Sequence, residues 1–97
     1  MKLEPHEKDL VGVFKLIGST LAADTTAKRI ELLTRNFLTK LGADPSGWDV
    51  LYRDPSDGRL WELTYPQSDA HGGGPPRLTQ LSLDEAVKKY GAEISSQ

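Results

Sequence analysis

Trp48-Asp49-Val50-Leu51-Tyr52-Arg53, then Asp54-Pro55-Ser56-Asp57-Gly58-Arg59, then Leu60-Trp61-Glu62-Leu63-Thr64-Tyr65: the reading of this stretch decides the fold. In the first run Trp48, Val50 and Tyr52 alternate with Asp49, Leu51 and Arg53, and after the turn Trp61, Leu63 and Tyr65 resume the alternation. A period of two sends successive side chains to opposite faces of an extended strand. The proline and glycine between the runs are turn formers, so the stretch predicts a β-hairpin. Its two aromatic faces lie on one side, and antiparallel sheets commonly bury one face only. Trp48 and Trp61 are therefore expected to be sealed together against a covering helix.

That helix is sought upstream. Asp24, Thr25 and Thr26 are all residue types that cap a helix N-terminus, and Ile30, Leu33, Phe37 and Leu41 then recur at the spacing of one helical face. Gly42 suits a left-handed C-cap and Lys40 the negative end of the dipole, so the pattern predicts one long helix over about 25–41. Before it, 9–17 alternates Leu10, Gly12, Phe14 and Leu16 against Val11, Val13 and Lys15, which predicts a strand near 10–17, a turn at Gly18-Ser19 and a short return through 20–22. Downstream, Pro66 stops the hairpin and 67–76 (QSDAHGGGPP) is a loop, loosened by three glycines and stiffened by two prolines. A further strand follows at 77–81. Ser82 with Glu85 three residues on forms a capping box that starts a short C-terminal helix, 83–90, ending at Gly91. The expected fold is α+β: a small antiparallel sheet (central hairpin 48–65, further strands near 10–17 and 77–81) packed on the long helix.

Length and composition limit the rest. A chain of 97 residues holds one core, so 1–97 is expected to be a single domain, with flexible ends at 1–8 and 92–97. With 37% hydrophobic and 27% charged residues it is neither disordered nor membrane-like in composition. Cysteine is absent, which removes disulfides and thiolate zinc sites. No stretch has the apolar length of a signal peptide or a membrane span, so the expectation is a cytoplasmic protein without a membrane partner. Net charge is only −2, but it is unevenly spread. Six carboxylates (Asp44, Asp49, Asp54, Asp57, Glu62 and Asp69) outnumber Arg53 and Arg59 over 44–69, while Lys28, Arg29, Arg35 and Lys40 outnumber Glu31 over 25–43.

The motifs with chemical overtones are weak. His71-Gly72-Gly73-Gly74 has the look of an oxyanion loop, but the chain has no G-x-S-x-G elbow to supply a serine, so a small hydrolase built on His71 is a remote alternative. No G-K-[ST] follows the glycines, and Pro75 and Pro76 remove two N–H donors, which argues against a phosphate cradle. Asp54, Asp57 and Gly58 echo part of a calcium loop without its closing glutamate, and fit a plain turn better. His6 and His71 are the two imidazoles, and a histidine-based zinc or acid–base site would need them to converge with carboxylates; His71 reads more simply as a loop residue making one hydrogen bond. Trp48, Tyr52, Trp61 and Tyr65 could stack on bases, but an acidic hairpin repels phosphates. No catalytic residue, cofactor, metal or nucleic-acid partner is expected.

One resemblance is specific. Gly47-Trp48, Leu51-Tyr52-Arg53-Asp54, Asp57-Gly58-Arg59, Trp61-Glu62-Leu63 and the run Gly72-Gly73-Gly74-Pro75-Pro76, supported by Ala23-Asp24 and Arg29-Ile30, look like the signature of the immunity protein 27 family. Leu60 stands where relatives are expected to carry an aromatic residue, and Phe14 where tryptophan is expected. The resemblance implies a small bacterial, non-enzymatic protein that binds the C-terminal domain of a cognate polymorphic toxin. An acidic, turn-rich rim complements a toxin whose cleft is basic, and opposite charge speeds encounter. The partner-binding residues expected on that rim are Asp54, Asp57, Arg59, Glu62, Asp69 and His71. An equal expectation is that Arg53, Arg59 and Arg77 pair with the carboxylates as structure. The free chain is expected to be a monomer. A regulatory adaptor unrelated to toxins is the alternative.

Overall fold

The computed structural model describes residues 2–66 and 74–91. Along the chain run β1 (Asp9–Val11), β2 (Phe14–Ile17), β3 (Thr20–Ala23), α1 (Thr25–Leu32), a π-helical turn (Leu33–Phe37), β4 (Thr39–Ala43), β5 (Val50–Arg53), β6 (Leu60–Thr64), β7 (Arg77–Leu81) and α2 (Leu83–Tyr90). The alternating runs do form the hairpin, β5 with β6, in the register Val50 opposite Leu63 and Tyr52 opposite Trp61. It is the centre of a five-stranded antiparallel sheet in the order β1-β7-β6-β5-β4. The fold is α+β, as the pattern predicts, with the strand at 77–81 and the capping box both in place: Ser82 Oγ accepts from the Glu85 N–H at 3.1 Å and Glu85 Oε1 from the Ser82 N–H at 3.0 Å.

The long helix is the main correction. α1 starts where expected, with Asp24 Oδ1 accepting from the Ala27 N–H at 2.7 Å, but helical backbone ends at Phe37, thirteen residues on, and 39–43 is an edge strand. The Leu38 N–H closes the π turn on the Leu33 carbonyl at 2.8 Å, and Leu38 itself is extended. A helix through 41 would place Leu41 on the face of Ile30, Leu33 and Phe37. The strand instead drops Leu38 into the core under α1 and sends Leu41 to the opposite side of the sheet. Tertiary burial of both leucines, plus the ladder to β5, outweighs the local helical pattern. Gly42 is thus no helix cap: it sits at a break in register between β4 and β5.

A second correction follows from α2. The sheet is covered on both faces. Leu10, Tyr52, Trp61, Leu63 and Leu78 pack with Ile30 and Leu33 on one side, while Leu51 packs with Ala86 on the other, flanked by Leu60, Leu81 and Val87. The fully buried Trp61, Ile30, Leu33, Leu51 and Leu78 each contribute about 1.5–3 kcal/mol of burial.

The predicted strand near 10–17 is two strands in two sheets. β1 pairs with β7, and β2 pairs with β3 in a separate hairpin turning at Gly18. The break is Gly12, whose N–H donates to the Pro76 carbonyl at 2.9 Å. A Cβ there would lie 2.7 Å from that oxygen and 3.0 Å from Ala27 Cβ, so only glycine lets α1 seat so close. Residues 2–8, for which the sequence offers no anchor, are packed: Leu3 is buried, and the carboxylate of Glu7 takes both terminal nitrogens of Arg29 at 2.6 Å.

Candidate partner-binding site

The hairpin turn holds three of the six expected partner residues. Asp54 N–H donates to the Arg59 carbonyl and the Gly58 N–H to the Asp54 carbonyl, both at 2.8 Å, with Gly58 at φ +80. The Asp54 side chain closes the turn from within, Oδ1 accepting from the Ser56 N–H at 2.7 Å and the Ser56 hydroxyl at 2.6 Å. It is 0% exposed and orders the turn from within. Asp57 is on the surface, its carboxylate joined to Arg59 Nε at 2.6 Å. Arg59 points inward along the molecule: Nη1 donates to the Glu7 carbonyl at 2.7 Å, Nη2 to the Glu4 carbonyl at 3.0 Å, and the guanidinium lies 4.9 Å from the centre of the Trp61 ring. One arginine thereby fastens segment 2–8 to the sheet.

Glu62 faces α2. Only 8% exposed, it accepts from the Tyr90 hydroxyl at 2.6 Å and pairs with Lys89 at 2.6 Å, while Lys89 also reaches Asp49 at 2.7 Å. Asp49 and Glu62 raise the Lys89 ammonium to about 12, and burial, reinforced by Glu62, holds the Tyr90 phenol protonated well above its ordinary range. Glu62 is thus the polar bolt that fixes the short helix to the sheet. Asp69 and His71, with most of the glycine loop, lie outside the described residues.

What the structure leaves open is elsewhere. Trp48, expected in the core, is 58% exposed. The reason is β4: because 39–43 pairs with β5, residues 44–49 must close that hairpin, and Trp48 falls in the loop and not in the strand. Its ring meets Tyr65 edge-on, centroids 6.1 Å apart at 75°. Tyr65 in turn lines a cleft of about 590 Å³ between the β2–β3 hairpin, the α1 and π-turn wall, and the sheet. Its lining mixes apolar Ala27, Ile30 and Leu63 with Thr34, Tyr52 and the ion pair of Glu31 and Arg35. Burial, with Tyr65 adjacent, raises the Tyr52 phenol above its usual value, so it stays neutral and able to donate.

The family model of immunity protein 27 matches residues 16–82. The chain belongs to the immunity protein 27 family. No curated protein and no solved structure matches it. Within this immunity protein 27 chain the match starts in β2 and ends at the cap of α2, so it takes in the helical wall of the cleft, Trp48 and the whole central hairpin. No helix among the described residues is long and apolar enough to cross a membrane.

Sequence reasoning missed Trp48 as a surface residue and the cleft beside it. The available signal was Asp44-Pro45-Ser46-Gly47, a turn that fits a strand-to-strand connection as well as a helix-to-strand one.

Proposed function

We propose that this immunity protein 27 chain is a stoichiometric inhibitor that acts in the cytoplasm, binding the C-terminal domain of a cognate polymorphic toxin and covering its active site. The observation that carries the reading is the family match, which spans most of the sheet and α1. The packing is compatible with a binding role: the hairpin turn and α2 are locked from within by Asp54 and Glu62, so the surface reaches a partner already formed. Asp57 belongs to the partner-facing rim in this reading, with Asp69 and His71, while Asp54, Arg59 and Glu62 hold that rim in shape.

The test is co-expression in bacteria of the toxin domain encoded beside this chain, with and without the chain. Restored growth together with a complex of fixed stoichiometry on gel filtration is expected. Continued killing at matched expression, with no complex, overturns the reading.

A further inference from the structure

A tryptophan more than half exposed leaves a large apolar ring in water, and here the loop that carries it is closed by hydrogen bonds. The Asp44 N–H donates to the Asp49 carbonyl and the Gly47 N–H to the Asp44 carbonyl, both at 2.9 Å. Asp44 Oδ1 accepts from the Ser46 hydroxyl at 2.7 Å and the Asp49 N–H at 3.3 Å, while Ser46 Oγ takes the Trp48 N–H at 3.1 Å. Gly47 supplies the φ of +79 that the turn needs. The Ser46 hydroxyl and the neighbouring backbone N–H groups lower the Asp44 carboxyl below its ordinary value, so the residue that ties the loop stays ionised. An aromatic side chain on a fixed loop gives up little freedom when a partner closes on it.

Two neighbouring features bear on the chemistry of a partner. On one side Trp48 leans on Tyr65, and Tyr65 lines the cleft, one wall of which is the end of α1 and the π turn. Such π-helical segments are frequent at functional sites. On the α2 side of the sheet Lys89 pairs with Asp49 and the nearly buried Glu62, and the loop itself adds the Asp44 carboxylate, so three acids there share one lysine. An exposed aromatic anchor beside a cleft, on a loop that carries the Asp44 and Asp49 carboxylates, fits a protein surface that is cationic and offers a pocket for an indole.

We propose that Trp48, with Tyr65 and the cleft behind it, is the anchor of the toxin interface, and that it seats in a positively charged cleft of the cognate toxin domain. The proposal rests on the immunity reading and adds the surface that carries it. Hot-spot residues of this kind cluster in tryptophan and dominate affinity, while the surrounding rim contributes mainly by excluding water.

The experiment measures the affinity of the full chain for the toxin domain encoded beside it, using wild type, Trp48→Ala and Trp48→Phe, with thermal unfolding of each free protein and sedimentation across a concentration series. Trp48→Ala is expected to weaken binding roughly 30-fold or more, with Trp48→Phe intermediate and the unfolding temperatures alike. Affinity for the wild type is expected to fall with added salt. If the wild type binds but Trp48→Ala binds equally well, the anchor is wrong and the immunity reading stands. Equal toxin binding together with self-association that Trp48→Ala abolishes assigns the surface to a second copy and also overturns the proposal. No binding by the wild type removes both.

Discussion

The two tryptophans of this chain lie on or beside one hairpin and have opposite fates. Trp61, in the middle strand pair, is 0% exposed under α1; Trp48, beyond the end of the facing strand, stands in solvent beside Tyr65. The difference is not in the residues but in what the neighbouring chain must do. Trp61 lies between β5 and β7 and beneath a helix, whereas Trp48 belongs to a loop forced by the pairing of β4 with β5. Trp61 is therefore scaffold, and Trp48 is a surface residue on a loop closed by hydrogen bonds.

The largest effect that separates the two is on stability. Trp61→Ala is expected to cost about 3–5 kcal/mol in urea unfolding, since it empties the centre of the core. Equal destabilisation by Trp48→Ala would break the comparison. Gly12→Ala comes next, at about 1–3 kcal/mol, because its Cβ meets the Pro76 carbonyl and α1 at once; urea unfolding with an unchanged m-value checks it. Glu62→Ala is expected to cost about 1–2 kcal/mol by unhooking Tyr90 and Lys89, with amide exchange in α2 rising before exchange in β6.

Acid titration sharpens the scaffold side further. Arg29 holds the Glu7 carboxyl at about 2, down from 4.5. A depressed folded value means that the contribution is fully present above the unfolded value and is lost as pH falls through the folded one. The wild type should therefore lose stability between pH 4.5 and about 2, and Arg29→Met should show a shallower loss over the same window. The smallest effect belongs to Trp48→Ala on the free chain, within about 0.5 kcal/mol, as for a surface position.

Legibility in the sequence follows the same divide. Elements fixed by local rules were readable: the turn at Asp54-Gly58, the Ser82–Glu85 capping box, the start of α1 at Asp24 and the strand at 77–81. Those decided by distant partners were not. The segment Leu38-Thr39-Lys40-Leu41-Gly42 satisfies a helical spacing, and only the open edge of β5 makes it a strand. The same pairing leaves Trp48 in the connecting loop, although its alternation with Val50 and Tyr52 reads as core. For the expected site residues, the pattern does not show whether a side chain points outward, because hydrogen bonds such as Arg59 to the Glu4 and Glu7 carbonyls span more than fifty positions.

The most direct test replaces both tryptophans with fluorotryptophan in the full chain and follows the two fluorine NMR lines, with and without saturating toxin domain. In the free protein the Trp48 line should respond to exchange of H₂O for D₂O and the Trp61 line should not, as their burial requires. Complex formation should shift the Trp48 line, abolish its solvent response and leave Trp61 in place. A Trp48 line that keeps its solvent response in the saturated complex contradicts the account.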